Sequence, residues 1–276
     1  MPREPFVVAV VVTFRRTELL HRAVDAIRAQ TRSPDLTIVV DNGDLAARTL
    51  EPHSGVEIVR TGSNLGPAGG YDRGLRLAME RGADRIWTVD DDVEPAPDCL
   101  ERLLAASGSP AVVLPTQVRP GGARSSPPAW TGALIDAEVV RAIGYPRTEL
   151  FFWGEDTEYF QRARIAGFPR ERVEEARVAH HHPGGRIRGS ERNWRLYYEV
   201  RNTVYIRRGY RGPAWRRYPK LLPVVVGKPI AILAFEPQKM RGLGLWWRGL
   251  RDGLLGRLGR VVDPAAEPAT FGAERR

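Results

Sequence analysis

The chain has 276 residues, 42 Lys and Arg against 33 Asp and Glu, and a formal net charge of +9. A hydrophobic content of 42% supports an ordinary packed core and excludes a disordered chain. The single cysteine, Cys99, rules out an internal disulfide and a thiolate zinc site, fits a reducing compartment, and reads as a small buried residue.

Residues 6–12 are apolar but lack a small-residue cleavage site. They read as a first strand over 6–13 rather than as a signal peptide. Thr17 caps a helix through Gln30, with Leu19, Leu20, Val24 and Ile27 on one face. Residues 36–40 form a second strand that runs into Asp41-Asn42-Gly43, and 56–59 form a third. Asp41 suits either a hydrogen bond to a base or ribose or the turn itself. The glycine-rich loop 64–70 lacks the Lys-Ser/Thr of a P-loop and the spacing of a dinucleotide fingerprint. Its glycines still allow backbone to approach a ligand, and a helix follows to about Arg81.

Residues 85–89 form the next strand, Pro97 opens a helix, and 111–114 are again a strand. A Gly-, Pro- and Ser-rich loop over 120–128 precedes a strand over 130–135. A helix over 155–166 stops at Gly167 and Pro169. The alternation predicts an α/β fold with a mixed, mostly parallel sheet. Basic, aromatic helices take over beyond Arg192, giving an α/β domain over 1–190 and a helical region over 191–276.

Three groups of residues carry chemistry. Asp90, Asp91 and Asp92 follow an apolar strand at its carboxyl end, where open α/β sheets bind ligands. Two carboxylates about 4 Å apart repel by roughly 4 kcal/mol at an effective dielectric near 20. Such crowding calls for a cation, and hard oxygen ligands suit Mn²⁺ or Mg²⁺ with a phosphorylated substrate. The second group is Phe151-Phe152-Trp153-Gly154-Glu155-Asp156, aromatic residues followed by acids at a helix start. Partial desolvation there improves a carboxylate as a base, and helix capping is the alternative role. The third is His180-His181-His182, which either completes an oxygen-rich metal site or forms a surface turn.

In this order the segments 11–16, 40–42, 64–74, 90–92, 130–134, 153–159 and the His cluster resemble family 2 glycosyltransferases of the GT-A fold. The likeness extends to the actinobacterial galactofuranosyl- and rhamnosyltransferases of cell-wall glycan synthesis. The resemblance implies inverting, metal-dependent transfer from a nucleotide-diphosphate sugar, UDP-galactofuranose or dTDP-rhamnose, to a polyprenyl-linked glycan acceptor. It implies that Thr13, Arg15 and Asp41 hold the nucleotide, with Asn64 and Arg73 nearby. Asp90 and Asp92 would bracket Mn²⁺ or Mg²⁺, and Asp91 would contact the sugar or ribose. His181 would be the third metal ligand, with His180 as the alternative. Asp156 would be the catalytic base, and Trp130, Trp153 and Glu155 would line the acceptor or sugar pocket.

Residues 192–260 hold 16 Lys and Arg against 3 Asp and Glu, so this region carries the whole positive excess. No segment reaches the roughly 20 apolar residues of a membrane span. Residues 221–235, then Trp246, Trp247 and Leu250, interleave with basic residues as in helices that lie in a membrane interface. The expectation is a cytoplasmic protein held on the inner face of the plasma membrane by anionic lipid, without nucleic acid as partner and with an oligomer open. A sugar nucleotidyltransferase would need a basic glycine-rich signature after the first strand, which Thr13-Phe14-Arg15-Arg16 does not supply. A nucleic-acid-binding protein built on the basic block would leave the acids unexplained.

Overall fold

The computed structural model describes residues 3–44, 50, 55–106, 110–118, 124–125, 130–181, 193–209 and 219–263. Two compact units emerge: Met1–Arg147 with Asp156–Gly184, and Thr148–Glu155 with Gly185–Arg276. The segment Thr148–Glu155 thus belongs with the carboxyl-terminal helices, which a division at residue 190 does not anticipate. The expected loop over 120–128 lies outside the described residues, apart from the short strand Arg124–Ser125.

The first unit is built on a mixed sheet. Its strands are β1 (Val7–Thr13), β2 (Leu36–Asp41), β3 (Val56–Arg60), β4 (Arg85–Asp90), β5 (Val93–Pro95), β6 (Val112–Val118), β7 (Arg124–Ser125), β8 (Leu134–Asp136) and β9 (Arg170–His180). The order is β3-β2-β1-β4-β8-β6-β9-β5, with β7 on β6. β1 pairs parallel with β2 and β4, and β2 parallel with β3. β8 runs antiparallel to both β4 and β6.

All seven residues of β1 are buried, as expected of a strand covered on both faces. Its alternation divides the core. Val8, Val10 and Val12 join Tyr71 and Leu75 of helix α2 (Gly66–Glu80) on one side. Val7, Ala9 and Val11 meet Leu20, Val24 and Ile27 of helix α1 (Thr17–Arg28) on the other. Full burial of each such side chain contributes about 1.5–3 kcal/mol. Helix α3 (Cys99–Ala106) buries Cys99 completely, which pushes its thiol up to about 12 and leaves it inert. Helix α4 (Ala137–Ile143) is capped by the Asp136 side chain, and α5 opens at Glu155 and runs to Ile165.

α2 sits close on β1 because it has glycine where they meet. A Cβ at Gly74 would lie 2.3 Å from Val10 Cγ1, and one at Gly70 would lie 2.4 Å from Val12 Cγ1. These two glycines serve helix–strand packing.

The second unit consists of α6 (Asn193–Gly209), α7 (Lys228–Phe235) and α8 (Lys239–Leu255), with a 3₁₀ turn at Thr148–Leu150. α8 seats on α6 through small residues: a Cβ at Gly253 would fall 2.5 Å from the Arg201 carbonyl oxygen. Phe151, Tyr197 and Tyr198 form one cluster, and Val200, Val204 and Val224 another. Phe151 and Trp153 have φ of 60° and 72°, a left-handed backbone that costs aromatic residues about 1–3 kcal/mol each.

Candidate active site

The register of the sheet puts the carboxyl ends of three strands side by side: Thr13 opposite Asp41, and Val12 opposite Asp90. The three aspartates therefore emerge at the ligand-binding edge of the sheet. Asp90 is gripped by two hydroxyls, Tyr71 donating to Oδ1 at 2.7 Å and Thr131 to Oδ2 at 3.1 Å. Asp91 accepts from the Thr13 hydroxyl at 2.8 Å and from Arg16 Nη1 at 3.0 Å. The same Arg16 nitrogen donates to Asp92 Oδ2 at 2.7 Å, and His180 Nε2 lies 3.0 Å from Asp92 Oδ1.

Every oxygen of the three carboxylates therefore has a protein partner, and one guanidinium and one imidazole are set against three acids. Burial pushes Asp91 up to about 6 despite Arg16 beside it. Burial and the neighbouring Asp92 also raise Asp90. Burial works against Asp92 too, but His180 and Arg16 outweigh it and hold that carboxyl below its ordinary value. Burial opposes the charged form of His180, and the bond to Asp92 overrides it and raises the imidazole. Burial and Asp90 keep Tyr71 a donor by lifting its phenol well above the ordinary range.

The remaining expected residues divide into those at this edge and those elsewhere. Thr13 is 1% exposed and its hydroxyl serves Asp91. Asp41 is fully buried and accepts from the Gly43 amide at 2.9 Å, which shapes the turn at the end of β2. Asn64 Oδ1 accepts from Gly66 N at the start of α2. Arg73 is exposed on α2. Arg15 is exposed, has φ of 58° and lies beside Phe14, while its neighbour Arg16 is the one that reaches the acids. Asp156 sits half-buried in the first turn of α5, its Oδ1 accepting from Thr157 N. Glu155 is 6% exposed and Trp153 47% exposed.

Two of the expected residues take other partners. His181 faces Glu94 at 2.8 Å, and the imidazole against Asp92 is that of His180. The reason is strand phase: Ala176 and Val178 are the buried positions of β9, and His180 continues that alternation. His182 lies outside the described residues. Trp130 is 3% exposed, stacked on Tyr71 at 4.5 Å and tilted against Tyr159 and Phe160. Tyr71 in turn donates its hydroxyl to Asp90. Sequence reasoning overlooked Arg16, Tyr71 and Thr131, although each lies inside a segment it singled out.

Among the described residues no three His, Cys, Asp or Glu side chains form a preformed metal cage. The donor set nonetheless fits a hard divalent cation. It offers carboxylate oxygens and one imidazole, and the Arg16 guanidinium occupies the position of a counter-ion between Asp91 and Asp92.

The family model described as Glycosyl transferase family 2 matches residues 8–176. The chain belongs to glycosyltransferase family 2. It is a glycosyltransferase of the GT-A fold. Galactofuranosyltransferase GlfT1 of Mycolicibacterium smegmatis is 34% identical over 207 residues, covering 61% of this chain and 68% of that protein. GlfT1 of Mycobacterium tuberculosis H37Rv is 34% identical over 201 residues, 59% of this chain and 66% of its own length. Both matches thus span about two thirds of the relative's length. An undecaprenyl-phosphate mannosyltransferase of Micrococcus luteus is 27% identical over 139 residues, 46% of this chain and 57% of that protein. In fold, the chain resembles the mannosyltransferase PcManGT of Pyrobaculum calidifontis, solved with GDP-Man and Mn²⁺. The TM-score is 0.59 at 16% identity, over 92% of this chain and 86% of that one.

Proposed function

We propose that this glycosyltransferase moves a sugar, galactofuranose or rhamnose, from a nucleotide diphosphate to a hydroxyl of a lipid-linked glycan, with inversion and with a divalent metal. The observation that carries the reading is the trio of acids at the end of β4, gripped on every oxygen and short of positive charge. Asp90, Asp92 and His180 would hold Mn²⁺ or Mg²⁺, which when bound neutralises charge on the departing diphosphate. Thr13 and Arg16 orient Asp91 toward the sugar or ribose. Arg15, Asp41, Asn64 and Arg73 serve the nucleotide side. Asp156 takes the acceptor hydroxyl proton as that oxygen attacks the anomeric carbon, with Trp153 and Glu155 at the acceptor. Attack opposite the leaving group inverts the centre without a covalent enzyme intermediate.

The names of the GlfT1 relatives favour galactofuranose and UDP as donor. A donor screen that reads release of nucleoside diphosphate, with a lipid-linked disaccharide mimic as acceptor, tests this. Acceptor-dependent release from UDP-galactofuranose is expected. Release that no acceptor stimulates, from any sugar nucleotide, contradicts it.

The proposal places the enzyme on the cytoplasmic membrane surface. Among the described residues no helix is long and apolar enough to cross a membrane. Instead two exposed apolar stripes follow helical spacing: Leu222, Val226, Ile230 and Leu233 along α7 and the turn before it, and Met240, Trp247 and Leu254 along α8. Arg241, Arg248 and Arg251 accompany the second stripe. Trp246 and Leu250, expected to face lipid, instead pack inward on Val200, Val204 and Val224. Apolar stripes edged with arginine suit an anionic lipid interface.

A further inference from the structure

The turn ahead of Asp156 is held in a shape its own residues disfavour. Phe151, Trp153 and Gly154 have φ of 60°, 72° and 82°. Glycine accepts such a backbone, but an aromatic residue adopts it only where its surroundings enforce it. The enforcement comes from two adjacent residues of α6. The Asn202 side-chain nitrogen shares its two hydrogens among the carbonyls of Leu150 at 2.9 Å, Phe152 at 2.8 Å and Trp153 at 2.8 Å. Arg201 Nε donates to Asn202 Oδ1 at 2.8 Å, which orients that amide so that its nitrogen faces the turn. Arg201 Nη2 donates to Leu150 O at 2.9 Å and Glu149 O at 3.3 Å, and Nη1 donates to Gly259 O. Arg201 and Asn202 are both 0% exposed, and the guanidinium lies 4.8 Å from the Tyr198 ring centroid.

A turn needed only to join two elements is satisfied by glycine or asparagine at its left-handed positions. Here the strain falls on aromatic residues, one of which, Trp153, is 47% exposed. Two buried polar side chains donate to four carbonyls between Glu149 and Trp153. We propose that Arg201 and Asn202 are positioning residues for sugar transfer. They fix the 149–154 backbone so that Trp153 and Glu155 are presented in one geometry. This rests on the transfer reading above, which places both residues at the acceptor.

The test is Asn202→Asp, which keeps the shape of the side chain and removes its donors. Hydrogen exchange of amides 150–155 should speed up by about tenfold or more, as local opening becomes easier. The turnover number for transfer should fall by roughly 100-fold, the effect of a misplaced acceptor. The dissociation constant of the donor nucleotide, read by calorimetry, should stay within about twofold, because a fault in this turn leaves bound-state contacts to the nucleotide intact. Adding Trp153→Gly to Asn202→Asp should restore part of the exchange protection, since glycine relieves the strained position. Should Asn202→Asp fail to fold, Asn202→Ser keeps one donor and should show a smaller loss of the same kind. Unchanged exchange, or loosened exchange with full turnover, overturns the proposal. A wild-type protein that transfers no sugar overturns the transfer reading instead, and the exchange arm still scores the clamp.

Discussion

Both units bury charge, and they satisfy it in different ways. In the second unit, Arg201 is enclosed and gives its donors to carbonyls and to Asn202, so its surroundings are complete within the chain. In the first unit, three carboxylates share hydroxyls, one guanidinium and one imidazole, and Asp91 and Asp90 are both raised. The first arrangement fixes a backbone; the second leaves acids that a further cation would stabilise. Burial opposes the charge of Arg201, which neutral carbonyls and an amide satisfy by hydrogen bonding. Asp90 and Asp91 are raised by burial and also by neighbouring carboxylates, a repulsion that a cation would relieve.

The comparison breaks first at the base. Asp156→Asn should lower transfer by roughly 10²–10⁴-fold while nucleotide binding stays near wild type, as measured by turnover and calorimetry. Next is the cation side: Asp92→Asn should abolish the Mn²⁺ signal in a calorimetric titration, and Asn202→Asp should leave that titration intact. Equal loss of metal binding in both variants would erase the distinction between the two regions.

Smaller changes sharpen it. Tyr71→Phe removes a donor from buried Asp90 and should cost about 1–3 kcal/mol in denaturant unfolding of the metal-free protein. Saturating Mn²⁺ should recover part of that loss. Arg16→Gln should destabilise the metal-free protein by only ~0.5–1 kcal/mol, because the guanidinium is 38% exposed. The same variant should bind Mn²⁺ more tightly, since the competing counter-ion is gone. Weaker Mn²⁺ binding would show that Arg16 supports the site instead. The smallest expected effect is at the membrane: Trp247→Ser should reduce flotation with anionic liposomes without altering turnover on a soluble acceptor mimic.

Much of this was legible in the sequence, and particular residues show why the rest was not. The Val-rich strands and the amphipathic α1 announce themselves, and the acids follow directly from the end of β4. β9 is hard to see because Arg170–His180 is mostly charged and exposed, so hydrophobicity conceals a strand. Yet Ala176, Val178 and His180 carry its period of two, and that phase chooses His180 over His181. Arg15 and Arg16 are identical in chemistry, and the sequence does not distinguish the one with the left-handed backbone from the one that reaches the acids. The Thr148–Glu155 segment belongs with α6 through bonds to its main-chain carbonyls, about fifty positions apart in sequence, and carbonyls leave no signature in composition.

In the proposed reaction the acids at the end of β4 hold a cation that transfer requires. The most direct measurement follows galactofuranosyl transfer from UDP-galactofuranose to a lipid-linked disaccharide, by wild-type protein stripped with EDTA and then titrated with Mn²⁺. We expect no transfer without metal and full recovery on titration, with Asp92→Asn inert throughout. Undiminished transfer by the stripped protein, or by Asp92→Asn, would contradict the account.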